Sequence, residues 1–150
     1  MTLAATVTEL LDLANAGPPT ARALHDALAS RATAVTHGNA NLDTPAWAKG
    51  TRGSGDTFLH FTGSLAGIAL WEDGRGWGAY AELAVTSGTL ADLTPVIGAT
   101  TAVPRSPGDF HSGNKVSAYI PRGGKTVRVF VELAKGSTDA VTRVTIHFQT

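Results

Sequence analysis

Gly123-Gly124-Lys125-Thr126 is the stretch of this chain that most resembles a chemical motif. The same four residue types close the Gly-x-x-x-x-Gly-Lys-Ser/Thr loop, whose backbone amides cradle phosphates while the Lys and hydroxyl reach the phosphates and their metal. That loop needs a Gly five positions before Gly124, and the chain has Tyr119 there. It also needs a helix directly after it, because a helix N-terminus holds the anion. Here Thr126 leads into Val127-Arg128-Val129-Phe130-Val131, whose β-branched residues favour a strand. The spacing therefore predicts a hairpin connection and no nucleotide site.

Asp109-Phe110-His111-Ser112 places an acid, an imidazole and a hydroxyl in four residues. A Ser-His-Asp relay requires the imidazole to take the Ser proton while the acid orients the ring. Consecutive residues rarely reach that geometry, and no Gly-x-Ser-x-Gly elbow is present. Asp109 and His111 read as polar loop residues that could touch a ligand. Of the other histidines, His60 and His147 fall in strand-like runs and could meet across a sheet with Glu82 or Glu132. No His-x-x-x-His pair or other standard zinc spacing occurs. Glu72 and Glu82 could face each other across a hairpin as an acid–base pair. The chain has no Cys, which removes disulfides, thiolate nucleophiles and zinc-thiolate sites. No cofactor or metal site is expected.

The aromatic residues carry a different signal. Trp71, Trp77 and Tyr80 cluster on one predicted hairpin, and Trp47 is the large apolar residue of a long polar loop. A hairpin cannot bury both faces under helices, so some of these rings should line a groove or an interface, where Trp and Tyr are favoured. The candidate binding residues are Trp47, Trp71, Trp77, Tyr80, His60, Glu82, Asp109 and His111.

These side chains need elements to hold them. Val7, Leu10, Leu11 and Ala14 recur at helical spacing and predict a helix over Thr6–Asn15, capped by Thr6 or Thr8 and stopped by Gly17-Pro18-Pro19. Ala21, Leu24, Ala27 and Leu28 predict a second helix over Thr20–Ala34. Residues 36–57 and 100–114 are rich in Gly, Pro, Asn, Thr and Asp and read as loops. Between them, strands are predicted at 58–61, 66–72 and 77–85, with a hairpin turn at Asp73-Gly74-Arg75-Gly76. Thr89 caps a short helix with Asp92 in its first turn, Gly98 ends it, and Pro95 should shorten or bend it. Three alternating strands close the chain, at 116–120, 127–133 and 144–148. Val127, Val129, Val131, Leu133, Val144, Ile146 and Phe148 face one way, and Arg128, Glu132, Arg143 and His147 the other.

The 150 residues fit one α+β domain: an antiparallel sheet of five or six strands with the N-terminal helices packed on one face. Twelve basic residues balance twelve acidic ones, so no global field favours nucleic acid or anionic lipid. From Arg105 onward seven basic residues stand against three acidic ones, a modest local bias. Charged residues are 16%, low enough to leave self-association open. The start lacks the basic residues of a secretory signal and no run is long enough to cross a bilayer, which makes the cytoplasm the default location. The expected function is a non-catalytic protein–protein interaction module of inhibitor, immunity or adaptor type. The alternative is a small-ligand-binding protein or enzyme with a pocket between helices and sheet. The last 60 or so residues loosely resemble the helix-plus-sheet units of small bacterial inhibitors such as the β-lactamase inhibitory proteins, with no motif in common.

Overall fold

The computed structural model describes residues 2–37, 57–73, 75–104 and 114–150. Trp47, Asp109 and His111 lie outside the described residues, as does most of the two predicted loops. Helix α1 spans Leu3–Leu13 and continues as a 3₁₀ turn over Ala14–Ala16. Val7, Leu10, Leu11 and Ala14 are buried, as their spacing predicts. The cap is neither Thr6 nor Thr8. Thr2 accepts the Ala5 amide at 3.2 Å, because the apolar stripe begins one turn earlier, at buried Leu3.

Helix α2 covers Ala21–Leu28, with Thr20 accepting the Ala23 amide at 3.1 Å. The predicted extension to Ala34 is not helical. A 3₁₀ turn over Ala29–Arg31 leads into strand β1, Ala34–His37. Thr33, Val35 and Thr36 are β-branched, and the neighbouring strand offers them a ladder: the Thr33 amide donates to the His60 carbonyl at 2.7 Å.

The six predicted strands are all present: β2 Thr57–His60, β3 Leu65–Glu72, β4 Gly78–Val85, β6 Lys115–Arg122, β7 Lys125–Leu133 and β8 Val141–Gln149. Two short edge strands, β1 and β5 (Thr101–Ala102), raise the total from the expected five or six to eight. All pairs are antiparallel, in the order β1-β2-β3-β4-β8-β7-β6-β5. The sheet is thus two four-stranded meanders joined along a central β4–β8 seam. Helix α3, Leu90–Ile97, crosses between them. Its cap is the predicted Thr89, which accepts the Asp92 amide at 3.2 Å; Asp92 in turn accepts the Thr89 amide at 3.0 Å, completing a capping box.

One face of the sheet carries the core. Leu59, Ile68, Leu70, Ala81, Leu83, Val144, Ile146, Val129 and Val131 lie in register across the central strands and are all buried. Helix α2 packs over β3 and β4, α1 packs on α3, and α3 reaches β6. Glu72 belongs to this face and is not opposite Glu82. It pairs with Ala79, and its carboxylate accepts the Ala21 amide at 2.8 Å. A residue considered for acid–base work instead satisfies the first amide of α2, where the helix dipole favours a negative charge.

The Gly123-Gly124 turn connects Arg122 to Lys125, with φ of 54° and 79°. Two positive φ values are what a two-residue hairpin of matching twist requires. Gly123 also lies against the end of α1: a Cβ there would sit 2.5 Å from the Ala14 carbonyl oxygen. Gly124→Ala is expected to cost about 1–2 kcal/mol for its backbone conformation alone. Gly123→Ala should cost at least ~1 kcal/mol more, because it must also push the turn off α1. Equal losses in urea titrations of the two variants would contradict that close approach.

Candidate functional site

The second sheet face bears no helix among the described residues. The register arranges its side chains in rows that run across the strands. One row is Trp71, Tyr80, His147, Arg128 and Tyr119, on β3, β4, β8, β7 and β6. The next is Ala69, Glu82, Thr145, Phe130 and Ser117. A third is Gly67, Ala84, Arg143, Glu132 and Lys115.

The first row is a ring stack with a cation at one end. Trp71 and Tyr80 are parallel to within 2° at 5.0 Å between centroids, and Tyr80 and His147 to within 3° at 4.1 Å. Strand spacing of about 4.8 Å suits this, since directly opposed rings are held at stacking distance. Each such pair contributes about 0.5–1.5 kcal/mol beyond the area it buries. Trp71 is only 5% exposed, so it anchors the row. Trp77, beyond the end of β4, is 53% exposed, and the Arg75 guanidinium lies 3.8 Å over its ring. Arg75 is oriented from behind by Asp73, whose carboxylate accepts the Arg75 amide at 2.7 Å and is held below the usual carboxylate range chiefly by that bond.

His147 is buried, and its Nε2 lies 2.9 Å from the Trp77 carbonyl oxygen. A carbonyl only accepts, so Nε2 carries the proton of the neutral ring. Burial pushes the imidazole below its ordinary range; the Trp77 bond opposes this, the positive Arg128 reinforces it, and Asp73 opposes it weakly. Burial likewise raises the Tyr80 phenol.

The third row ties into the second through charge. Arg143 reaches Glu82 and Glu132, each at 3.3 Å. Both carboxylates are mostly shielded while Arg143 is half exposed. Glu82 is therefore tied to Arg143 and has no Glu72 opposite it. Two shallow recesses flank this cluster. One, of about 290 Å³, is bordered by Tyr80, Phe130, Thr145 and Lys115. The other, of about 310 Å³, lies over Gly67, Ala69 and Ala84, with Phe58 and His60 beside it. His60 is exposed and bonded to Thr36 at 3.0 Å. It does not meet His147, because β3 and β4 lie between their strands. His60 and Glu82 both lie on the helix-free face, so the pocket expected between helices and sheet does not hold them. Among the described residues, no three His, Asp or Glu side chains come together as metal ligands.

Arg128 contrasts with Arg143. Its guanidinium lies 5.3 Å from the Tyr119 ring centroid and 5.1 Å from that of Phe130. Nη2 reaches the Tyr119 hydroxyl at a long 3.4 Å, and Nε is buried with no hydrogen-bond partner among the described residues. An unmatched buried donor costs roughly 1–3 kcal/mol. Tyr119, Arg128, Phe130 and Arg143 were not among the candidates drawn from sequence. Alternation placed Arg128 and Arg143 on this face, but only the register shows which residue has an acid opposite it.

No protein-family model, known protein or solved structure matches this chain. No helix among the described residues is long and apolar enough to cross a membrane.

The depressed His147 affinity for protons has a testable sign. The folded state prefers the neutral ring, so the unfolded chain takes up this proton first. The contribution is complete above the ordinary 6.5, is lost as pH falls through the window from 6.5 down to the folded midpoint, and is constant below it. In NMR titrations His147 is expected to show a midpoint below 6.5, and His147→Phe should flatten the stability–pH curve in that window. A midpoint at or above 6.5 contradicts the burial argument.

Proposed function

We propose that this protein is a non-catalytic binding module of inhibitor, immunity or adaptor type, and that the helix-free sheet face is where it meets a protein partner or a second copy of itself. The observation that supports this most is the composition of that face. It gathers Tyr80, Tyr119, Phe130, Arg128 and Arg143 in adjoining rows, with Tyr119 60% exposed. Aromatic residues and Arg are the types enriched at interface centres. Among the described residues, the groups best suited to proton transfer are engaged in holding structure. Glu82 and Glu132 hold Arg143, Glu72 holds α2, and His147 holds the Trp77 carbonyl.

A small-molecule ligand is the second reading. The two recesses beside Arg143 support it, with the ligand on the same face of the sheet.

The test is affinity capture from the native host's lysate with tagged wild type, a Tyr119→Ser/Phe130→Thr double variant, and Arg22→Ala on the outer side of α2. A stoichiometric protein is expected with wild type and Arg22→Ala. Its retention should fall at least about tenfold with the double variant, the size of an interface hot spot. Thermal melts must first show that the double variant is folded. Capture that tolerates the double variant, or no stoichiometric partner together with a chain that sediments as a monomer, contradicts the reading.

A further inference from the structure

We infer that Arg128 is a recognition site for a carboxylate, supplied by an Asp or Glu side chain of a protein partner. The inference rests on the binding-module reading and names the chemistry that the partner must bring.

The argument begins with register. In an antiparallel sheet a residue touches the positions directly opposite, their diagonal neighbours, and its own i±2 positions. For Arg128 these are Tyr119, Ser117 and Pro121 on β6, His147, Thr145 and Gln149 on β8, and Thr126 and Phe130 on β7. None is an acid. For Arg143 the same positions include Glu132 opposite and Glu82 on the diagonal, and both are engaged. Arg22, Arg31 and Arg75 also lie beside carboxylates, of Asp26, Glu9 and Asp73. Among the described residues, Arg128 is therefore a cation held half-buried between two rings without a counter-charge, while its sheet neighbour Arg143 has two.

The free donor identifies the ligand. Nε–H and the adjacent Nη2–H form one edge of the planar guanidinium, the edge that meets a carboxylate through two parallel bonds. Among the described residues Nε has no partner, and Nη2 has only the 3.4 Å contact to the Tyr119 hydroxyl. The Tyr119 ring is 60% exposed and its hydroxyl contact to Arg128 is long, so a ligand can exchange with it. That exchange frees the edge, and a carboxylate takes both hydrogens. The partly buried Phe130 ring beside the guanidinium shields one side of the resulting pair from water, which strengthens it. A dianionic phosphate is matched less well, because His147, opposite Arg128 on β8, spends its N–H on the Trp77 carbonyl and adds no second donor.

The test observes Arg128 itself. The ¹⁵N-labelled full chain is titrated with sodium acetate, sodium phosphate and sodium chloride at equal ionic strength and pH, following the Arg128 Nε–H resonance. A saturating shift with acetate, weaker with phosphate and absent with chloride, is expected. Tyr119→Phe should preserve it, and Arg128→Lys should remove it. In parallel, acetate should raise the melting temperature of wild type above the chloride control and leave Arg128→Gln unchanged, since a ligand that binds only the folded state stabilises it. This arm reads the site even where the Nε–H signal exchanges too fast to follow. Stronger response to phosphate overturns the carboxylate assignment in favour of a phosphate-bearing partner such as nucleic acid. A response that tracks chloride equally, or no response in both arms, overturns the site. Capture of the partner separates this from the broader reading. If Arg128→Gln leaves capture unchanged while Tyr119→Ser/Phe130→Thr abolishes it, the face stands and the carboxylate inference falls. A tenfold or greater loss with Arg128→Gln supports both.

Discussion

The pairing of β4 with β8 is the contact on which the rest of the molecule depends. It joins the N-terminal meander to the C-terminal one and makes a single sheet from two. On the covered face it sets Leu83 against Val144 and Ala81 against Ile146, at the centre of the core. On the other face the same register sets Tyr80 against His147 and brings Arg143 within reach of Glu82. A slip of one residue would reverse every side chain of one meander, exposing the valines and burying the arginines. The core and the candidate site therefore share one register.

Much of this was legible in the sequence wherever a local rule decided the outcome. The alternation of Val127 to Leu133 and Val144 to Phe148 assigned faces correctly, because one side is buried throughout. Thr89, Asp92 and Gly98 announced α3, because capping is short-range chemistry. The two glycines of the 123–124 turn identified a hairpin where a phosphate loop was the tempting reading. The failures came where a distant partner decided. Ala34 looked like the tail of a helix, and Thr36 and His37 like the start of a loop, until β2 offered them hydrogen bonds. Thr101–Ala102 is too short to show any period. Thr2 became the cap of α1 because Leu3 is buried by the rest of the fold.

The site was partly visible for the same reason. Trp71, Tyr80 and Glu82 were singled out and do share a face, since a hairpin fixes its own register. Glu72 and Glu82 did not meet, because their strand positions differ by one in parity. His60 and His147 did not meet, because the order of strands cannot be read from their patterns. Arg128 escaped notice because its distinction is a missing neighbour, and a missing neighbour is defined only once β6, β7 and β8 lie side by side.

The seam also has a kinetic meaning. Each meander is built from hairpins whose strands are close in sequence, whereas the bond from His147 to the Trp77 carbonyl spans 70 residues. Chain entropy disfavours so long a closure until many contacts form together. The two halves can therefore acquire their turns separately, before the seam closes. Interactions made only after the folding barrier act mainly on the rate of unfolding. The stack of Tyr80 on His147 is then less a builder of the sheet than its latch: it sets how long the two halves, once joined, stay joined.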